Sequence, residues 1–523
     1  MNISSQNNQT QINELQEVTK DQEYFDQAMQ LLFRRQFKII FTKNQEIKII
    51  SSNGEIIRSD IILSSCHEDP ELPFFNLEQI KHLKWLGKYQ DTKKVGKWIA
   101  TWKNEILLDV GGQYCQKGMK QSRWKEIFKN YFEKAQVYEE GEYINGKRIG
   151  IWNTIYQNKL IGGGFYDQQG QKNGQWIELC NYFQCDNQII YQGEYLNGKK
   201  IGTWDINRKR LAIFLNLNGC KKKGNLELIG WEQYDQQGQK NGKWVELSDD
   251  FQKETQILYC GEYKSGRKCG IWEIHYQIQS NRPFYLIGCG IYNMEGYKNG
   301  RWVEVTKNFL SDGQVIYEGQ YKNGKKIGKW DIKVKNDQTF EKIGYGSYDE
   351  QEHKNGIWLE LSENYRNIYS EVTYYGEYKK DKKIGKWEIY YKQSSNYPFK
   401  LIGSGSYNDE SVKYGIWIEL SDYFSNQNEV LYQGVYQNGR KVGKWDIKFK
   451  SHYFNDFHNI GGGIYDNQNL KHASWVDVGD NFSKNQSIIH KGEYNHGKKI
   501  GLWEEMRICC ENTIFKIGEK IYD

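Results

Sequence analysis

Apolar and polar positions alternate with a period of two through most of this chain, in short runs separated by turns rich in Asn, Gly and Lys. The stretch QGEYLNGKKIGTWDI (192–206) is representative. The alternation places Gly193, Tyr195, Gly202, Trp204 and Ile206 on one face of a hairpin, and Glu194, Thr203 and Asp205 on the other. The intervening Asn-Gly-Lys-Lys-Ile-Gly predicts a glycine-bearing turn longer than the minimal two residues. Glycines on the aromatic face leave room for the rings of neighbouring strands to lie flat.

The hairpin recurs. GEYINGKRIGIW (141–152), GQYKNGKKIGKW (319–330) and GEYNHGKKIGLW (492–503) are further copies, and fifteen tryptophans from Trp98 to Trp503 mark about fifteen hairpins. A fixed period of this kind predicts a repeat architecture. Two types alternate. Type A carries Trp98, Trp152, Trp204, Trp272, Trp330, Trp387, Trp445 and Trp503, each with a Tyr nine residues before it and a Gly two before it. Type B carries Trp124, Trp176, Trp244, Trp302, Trp358, Trp417 and Trp475, each with a Tyr ten before it and an aromatic residue seven after it. Type B departs from the pattern of 192–206: around Trp244, Val245 and Leu247 point opposite to the Trp, so that hairpin has apolar groups on both faces. The following Ser248-Asp249-Asp250-Phe251 predicts a turn that folds Phe251 over the Val245/Leu247 face, and the same holds for 360–365 and 419–424.

Residues 1–83 lack the repeat and are expected to form a small α+β cap, which a repeat array needs over its first face. Gln11 to about Arg35 reads as a helix and 36–63 as two or three short strands. The array then occupies 84–523, with one irregularity. Trp204 and Trp244 are 40 residues apart where other neighbouring tryptophans are 24–30 apart, and 207–226 holds the extra length.

Composition sharpens this picture. Aromatic residues make up 15% of the chain, with 18 Trp and 39 Tyr, yet the mean hydropathy is −0.84. Aromatic rings with polar handles and 52 glycines suit a thin sheet wetted on at least one side. Lys+Arg minus Asp+Glu is 72 − 66 = +6, too small an excess over 523 residues to argue nucleic-acid binding. No run approaches the ~18 apolar residues that span a bilayer, and the N-terminus has no apolar signal-peptide core. The ten cysteines show no CxxC pair of the kind that holds zinc, so no metal is expected. A reducing, cytoplasmic setting is expected, peripheral to membrane or cytoskeleton if it is attached to either.

The string GEYxNGKKxGxW resembles the MORN repeat, whose core is a Tyr-x-Gly-x-aromatic-x-x-Gly-Lys-x-x-Gly string, over about residues 86–506. Here Trp follows the last glycine by two, where many MORN repeats carry another Gly or Tyr. That variant is similar to divergent repeats of protist families and of bacterial antitoxin-like proteins. The resemblance implies an all-β fold: an elongated antiparallel meander, one hairpin per repeat. It implies a scaffold, a membrane-associated protein or an enzyme-flanking module, and by analogy with the bacterial proteins an antitoxin-like neutraliser, without choosing among them.

Candidate chemistry is weighed against the repeat. GGGFY (162–166), GCGIY (288–292), GYGSY (344–348) and GGGIY (461–465) mimic phosphate loops but recur at one repeat position, without the strand–loop–helix setting that a nucleotide site needs. The nine histidines fall at unrelated repeat positions. Carboxylates directly after the type A Trp (Asp205, Glu273, Asp331, Glu388, Asp446 and Glu504) form a row and read as a solvated face balancing nearby lysines. No catalytic residue, cofactor or enzymatic activity is expected.

The sharpest candidates are dibasic pairs five and four residues before each type A Trp: Lys199-Lys200, Arg267-Lys268, Lys325-Lys326, Lys382-Lys383, Arg440-Lys441 and Lys498-Lys499, preceded by Lys93-Lys94 and Lys147-Arg148. Stacked in register they predict a cationic ridge for an anionic lipid or an acidic partner, at ~1 kcal/mol per cation near a leaflet. Successive pairs would lie about 19 Å apart, roughly two Debye lengths at physiological salt, so they act as separate patches. Charged turns also protect sheet edges from aggregation. The aromatic face (Tyr195, Trp204, Tyr263, Trp272, Tyr321, Trp330, Tyr378, Trp387, Tyr436 and Trp445) is the predicted groove for a protein partner or a second copy of the chain.

Overall fold

The computed structural model describes residues 16–26, 31–41, 46–51, 56–61, 76–91, 93–185, 187–209, 226–248, 251, 256–278, 282–306, 309, 313–336, 339–362, 365, 371–393, 397–421, 424–451, 456–479, 482–509 and 513–522. It is almost entirely antiparallel β-structure. The strands follow chain order in three sheets of 4, 11 and 20 strands. The chain divides into two compact units, residues 1–267 with 275–285, and residues 268–274 with 286–523.

In the first unit, β1 (Gln16–Asp26) and β2 (Leu31–Phe41) pair antiparallel over their whole length, followed by β3 (Glu46–Ser51) and β4 (Ile56–Ile61). The helix expected over 11–35 is therefore replaced by a strand pair wherever that stretch is described; 11–15 and 27–30 lie outside the described residues. Its apolar positions Leu15, Val18, Tyr24, Met29 and Leu31 are only loosely periodic, so local helical preference yields to ladder pairing. The first helix of the described chain is instead α1 (Leu77–His82), with the Asn76 side chain accepting the Gln79 N–H at 2.9 Å. Arg58 of β4 donates to the carbonyls of Ile80 and Leu83 at 3.0 and 2.7 Å. The amides of Asn76 and Gln79 donate to Tyr131 O, so α1 is tied to the first repeats.

The array begins at β5 (Leu83–Gln90), and each hairpin follows one plan. In β13 (Ile189–Leu196) and β14 (Lys199–Lys209) the connection is the two residues Asn197 and Gly198, with φ of +49° and +79°. This is the tight primed turn that suits strand twist, shorter than the alternation predicts. Lys199 to Gly202 already belong to the strand. The apparent extra turn length is a bulge: Gln192 faces Asp205 and Glu194 faces Ile201, so Gly202, Thr203 and Trp204 together oppose Gly193. Gly202 has φ +65° and is exposed, so it serves the bulge and not the aromatic face. Gly193 is the glycine that makes room, because a Cβ there would fall inside the Trp204 indole.

Two columns of core run along one face of the array, which we term the inner face. The first is the ring ladder. Trp176, Tyr195 and Trp204 contact edge to face at 5.9 and 5.1 Å between centroids, and Trp358, Tyr378 and Trp387 do so at 5.9 and 5.1 Å. The second is aliphatic and is closed by the type B aromatics. Phe251 turns back through Phe251 N–H···O Ser248 (3.0 Å) and is buried with Val245, with Leu247 packed against the same cluster, as expected, but also with Leu258 and with Ile189 and Ile206 of the preceding hairpin. Phe424 likewise covers Ile389 and Tyr391. Each type B aromatic thus joins neighbouring hairpins.

The sheets divide between β15 (Leu226–Tyr234) and β16 (Gly242–Leu247), where one isolated bridge, Tyr234 to Lys240, connects them. A glycine underlies the ring at Trp98, Trp124, Trp152, Trp176, Trp204, Trp302, Trp330, Trp358, Trp387, Trp417, Trp445, Trp475 and Trp503. The corresponding residue before Trp244 is Glu232: it faces Trp204 as Gly164 faces Trp152. A side chain at this spot keeps the ring-bearing strand from closing on its neighbour. Most of the irregular stretch expected at 207–226 lies outside the described residues; β14 ends at Lys209 before it and β15 begins at Leu226 after it.

Candidate functional site

The bulge at Gly202 decides where the two members of a dibasic pair go. The first flanks the turn and is exposed: Lys199, Arg267, Lys325, Lys382, Arg440 and Lys498 all face solvent. The second turns onto the inner face and lies over the Trp four residues on. Lys200 is 4.0 Å from the Trp204 ring centroid, Lys268 4.0 Å from Trp272 and Lys326 4.5 Å from Trp330. Lys383 is 3.9 Å from Trp387, Lys441 4.3 Å from Trp445 and Lys499 4.3 Å from Trp503. The ridge of paired cations is therefore a correction to make: the pairs split between two surfaces, and the exposed row holds one cation per pair.

Type B strands supply partners that the dibasic motif did not reveal. Each has a Lys four before its Trp (Lys120, Lys172, Lys240, Lys298, Lys354, Lys413 and Lys471) and a carboxylate two after it (Glu126, Glu178, Glu246, Glu304, Glu360, Glu419 and Asp477). These lysines also lie over their rings, as Lys354 does over Trp358 at 4.4 Å. The signal was present at all seven type B positions, hidden because the carboxylate is on the Trp face and reads as ordinary alternation.

The carboxylate collects three donors. Glu360 pairs with Lys354 just before its own strand, with Lys383 of the following type A strand at 3.4 Å, and accepts from Tyr378 Oη at 3.0 Å. Glu304 pairs with Lys298, with Lys326 at 2.8 Å and with Tyr321 Oη at 2.6 Å. Glu419 pairs with Lys413 at 2.8 Å, Lys441 at 2.6 Å and Tyr436 Oη at 3.0 Å. In the first unit Glu126 joins Lys120, Arg148 and Tyr143, and Glu178 joins Lys172, Lys200 (3.3 Å) and Tyr195 (2.9 Å). Burial by itself would raise the Glu304 carboxyl, but Lys326 and Lys298 overcome it and hold the group down at about 2. Glu178 and Glu419 are lowered in the same way. These side chains are fixed anions, suited to ion pairing and not to proton transfer.

The aromatic residues predicted as a groove are covered. Trp204, Trp272, Trp330, Trp387 and Trp445 are buried, as are Tyr195, Tyr263, Tyr321, Tyr378 and Tyr436. Their faces and edges are taken up by one another and by the overlying lysines, so the inner surface that solvent meets is a layer of Lys, Glu and Tyr. In the second unit this layer opens into a groove of about 980 Å³ along the strands from Glu304 to Lys441, with Tyr317, Tyr348, Tyr374 and Tyr407 also on its walls. On the opposite face the carboxylates after the type A Trp meet lysines as expected: Asp331 with Lys342 (2.6 Å), Glu388 with Lys386 (2.8 Å) and Asp446 with Lys444 (3.2 Å). Among the described residues no helix is long and apolar enough to cross a membrane.

No family model matches the chain, and no curated protein matches it. Among solved structures it is similar to a protein from Lactobacillus plantarum, at 9% identity and a TM-score of 0.17, over 77% of this chain and 96% of that one.

Proposed function

We propose that this protein is a non-catalytic, MORN-type repeat scaffold that holds an extended polypeptide partner along its inner face. The observation that carries this reading is the groove of the second unit, where one set of groups (two lysines, a carboxylate and a tyrosine over a buried indole) recurs at Glu304, Glu360 and Glu419. A repeating site binds best a partner that is itself long and regularly spaced, through many weak contacts acting together. The buried ladder makes the platform stiff, so little ordering is needed when the partner lands. Selection of a random linear-peptide library against the whole protein tests this. Selected peptides should slow amide exchange in β24 (Gly356–Leu361) through β28 (Lys413–Leu420); protection confined to other strands counts against it.

A second reading, docking on anionic lipid, is favoured by the exposed first residue of each pair, Lys199, Arg267, Lys325, Lys382, Arg440 and Lys498. At ~1 kcal/mol per cation, a few in register are enough for reversible attachment. Co-sedimentation with anionic vesicles at low and physiological salt, beside a variant with only these six residues reversed, distinguishes it from partner binding.

A further inference from the structure

Each triad of the inner face sets two cations against one carboxylate, and the surplus is regularly placed. Each carboxylate bonds backwards to the lysine of its own type B hairpin and forwards to the lysine of the next type A strand, giving the triads Lys298–Glu304–Lys326, Lys354–Glu360–Lys383 and Lys413–Glu419–Lys441. Between triads two lysines follow one another with no carboxylate among the described residues bonded to both: Lys326 then Lys354, Lys383 then Lys413, and, just past the end of the groove walls, Lys441 then Lys471, which pairs with Asp477 at 2.6 Å. The groove walls show the same surplus, with Lys326, Lys354, Lys383, Lys413 and Lys441 against Glu304, Glu360 and Glu419. The lysine side chains lining the groove are 21–31% exposed, so their ammonium groups are reachable from it. Lys383 records the crowding: burial first, with Lys354 and Lys413 adding to it, lowers its proton affinity despite Glu360.

We infer that the groove selects an acidic extended segment whose carboxylates seat in these gaps between triads. The inference rests on the polypeptide-scaffold reading and adds the chemistry of the partner. Within a gap the two lysines rise from strands two apart, about 10 Å, a span that two flexible four-carbon stems close around one carboxylate. Successive gaps are four strands apart, about 19 Å, which an extended chain covers in about six residues. Six is even, so side chains at i, i+6 and i+12 leave the same side of an extended peptide and reach Lys326/Lys354, Lys383/Lys413 and Lys441/Lys471 in turn. A carboxylate in a gap replaces lysine–lysine repulsion with two charge-assisted hydrogen bonds.

The test uses the full chain and fluorescein-labelled 13-residue peptides of Ser, Thr and Gln, carrying Glu at positions 1, 7 and 13, Gln at those positions, or three Glu at positions 1, 4 and 8. Anisotropy at physiological salt should show the 1/7/13 acid peptide binding at least tenfold more tightly than the other two. Lys383→Gln with Lys413→Gln should cost tenfold or more for that peptide. Glu360→Gln, which removes an internal competitor, should tighten it several-fold, a gain that misfolding cannot produce. Equal binding of the acid and amide peptides overturns the acidic selectivity while leaving a polypeptide groove. Equal binding of the two acid peptides overturns the register. Failure of every peptide to bind, with selected library peptides still protecting β24–β28, overturns this inference alone; failure of both overturns the scaffold reading as well.

Discussion

The ammonium of Lys383 stands 3.9 Å from the centre of the Trp387 ring, four residues downstream in the same strand, while its sequence neighbour Lys382 is exposed. Two adjacent lysines in one repeated motif thus have different physical roles. The bulge at Gly385 (φ +63°) adds two residues and so keeps the alternation that puts Lys383 and Trp387 on one face.

That split predicts unequal mutational costs. Lys382→Ala should leave the urea midpoint nearly unchanged, within about 0.5 kcal/mol. Lys383→Ala removes a ring contact and one of the two cations of Glu360, and should cost about 1–3 kcal/mol. Equal effects would mean that the two side chains share one environment.

The ring ladder predicts that Gly376 and Gly385 fail for different reasons. A Cβ on Gly376 would fall inside the Trp387 indole, whereas nothing lies within 4 Å of one on Gly385. Gly376→Ala should destabilise by about 2–3 kcal/mol through overpacking and blue-shift or broaden tryptophan emission. Gly385→Ala should cost about 1 kcal/mol from its left-handed backbone alone. Urea unfolding followed by fluorescence separates the two.

Glu232 predicts a gain of structure. With no such stack joining Trp204 to Tyr234 among the described contacts, the Tyr234 hydroxyl instead donates to Glu232 at 2.9 Å. Glu232→Gly restores the residue found under thirteen of the repeat tryptophans and should slow amide exchange in β15 and β16, raising the thermal midpoint by a few degrees. Unchanged exchange there would remove Glu232 as the cause of the sheet division.

Much of this was legible from spacing. The Trp period, the Tyr positions and the type B aromatic reported hairpins, ladder and back-folded ring, because each repeats against a variable background. Three things were not. The bulge is invisible to period-two counting, since two extra residues leave the alternation in phase; Gly202 was therefore placed on the wrong surface and both lysines of each pair on one edge. The Lys–Glu–Lys triads are completed from a second strand, as Lys326 completes Lys298 and Glu304, so the full set does not stand out locally. The N-terminal strands β1 and β2 are held by each other, a cross-strand pairing that the loose apolar periodicity of this stretch does not announce.

The carboxylates predict opposite pH responses. Glu304, pulled from its ordinary 4.5 to about 2 against its burial, contributes stability that is present above pH 4.5 and lost as pH falls from there toward 2. Glu304→Gln should lower stability at pH 7 by about 1–3 kcal/mol and flatten the acid limb of the thermal midpoint. Glu232 is raised by burial, so its favourable share is present below its unfolded value and is lost as pH climbs through the folded one. Glu232→Gln should be neutral or stabilising at pH 7, and thermal scans from pH 2 to 7 check both signs.

The most direct measurement is amine acylation footprinting of the native protein, read by fragment mass spectrometry at Lys382 and Lys383 with and without the 1/7/13 acid peptide. Lys383 should react several-fold more slowly than Lys382 in the free protein and be protected further by the peptide, with Lys382 unchanged. Equal rates in the free protein, or protection of Lys382 in place of Lys383, would contradict an inner face that holds its cations over buried tryptophans and offers them to a partner.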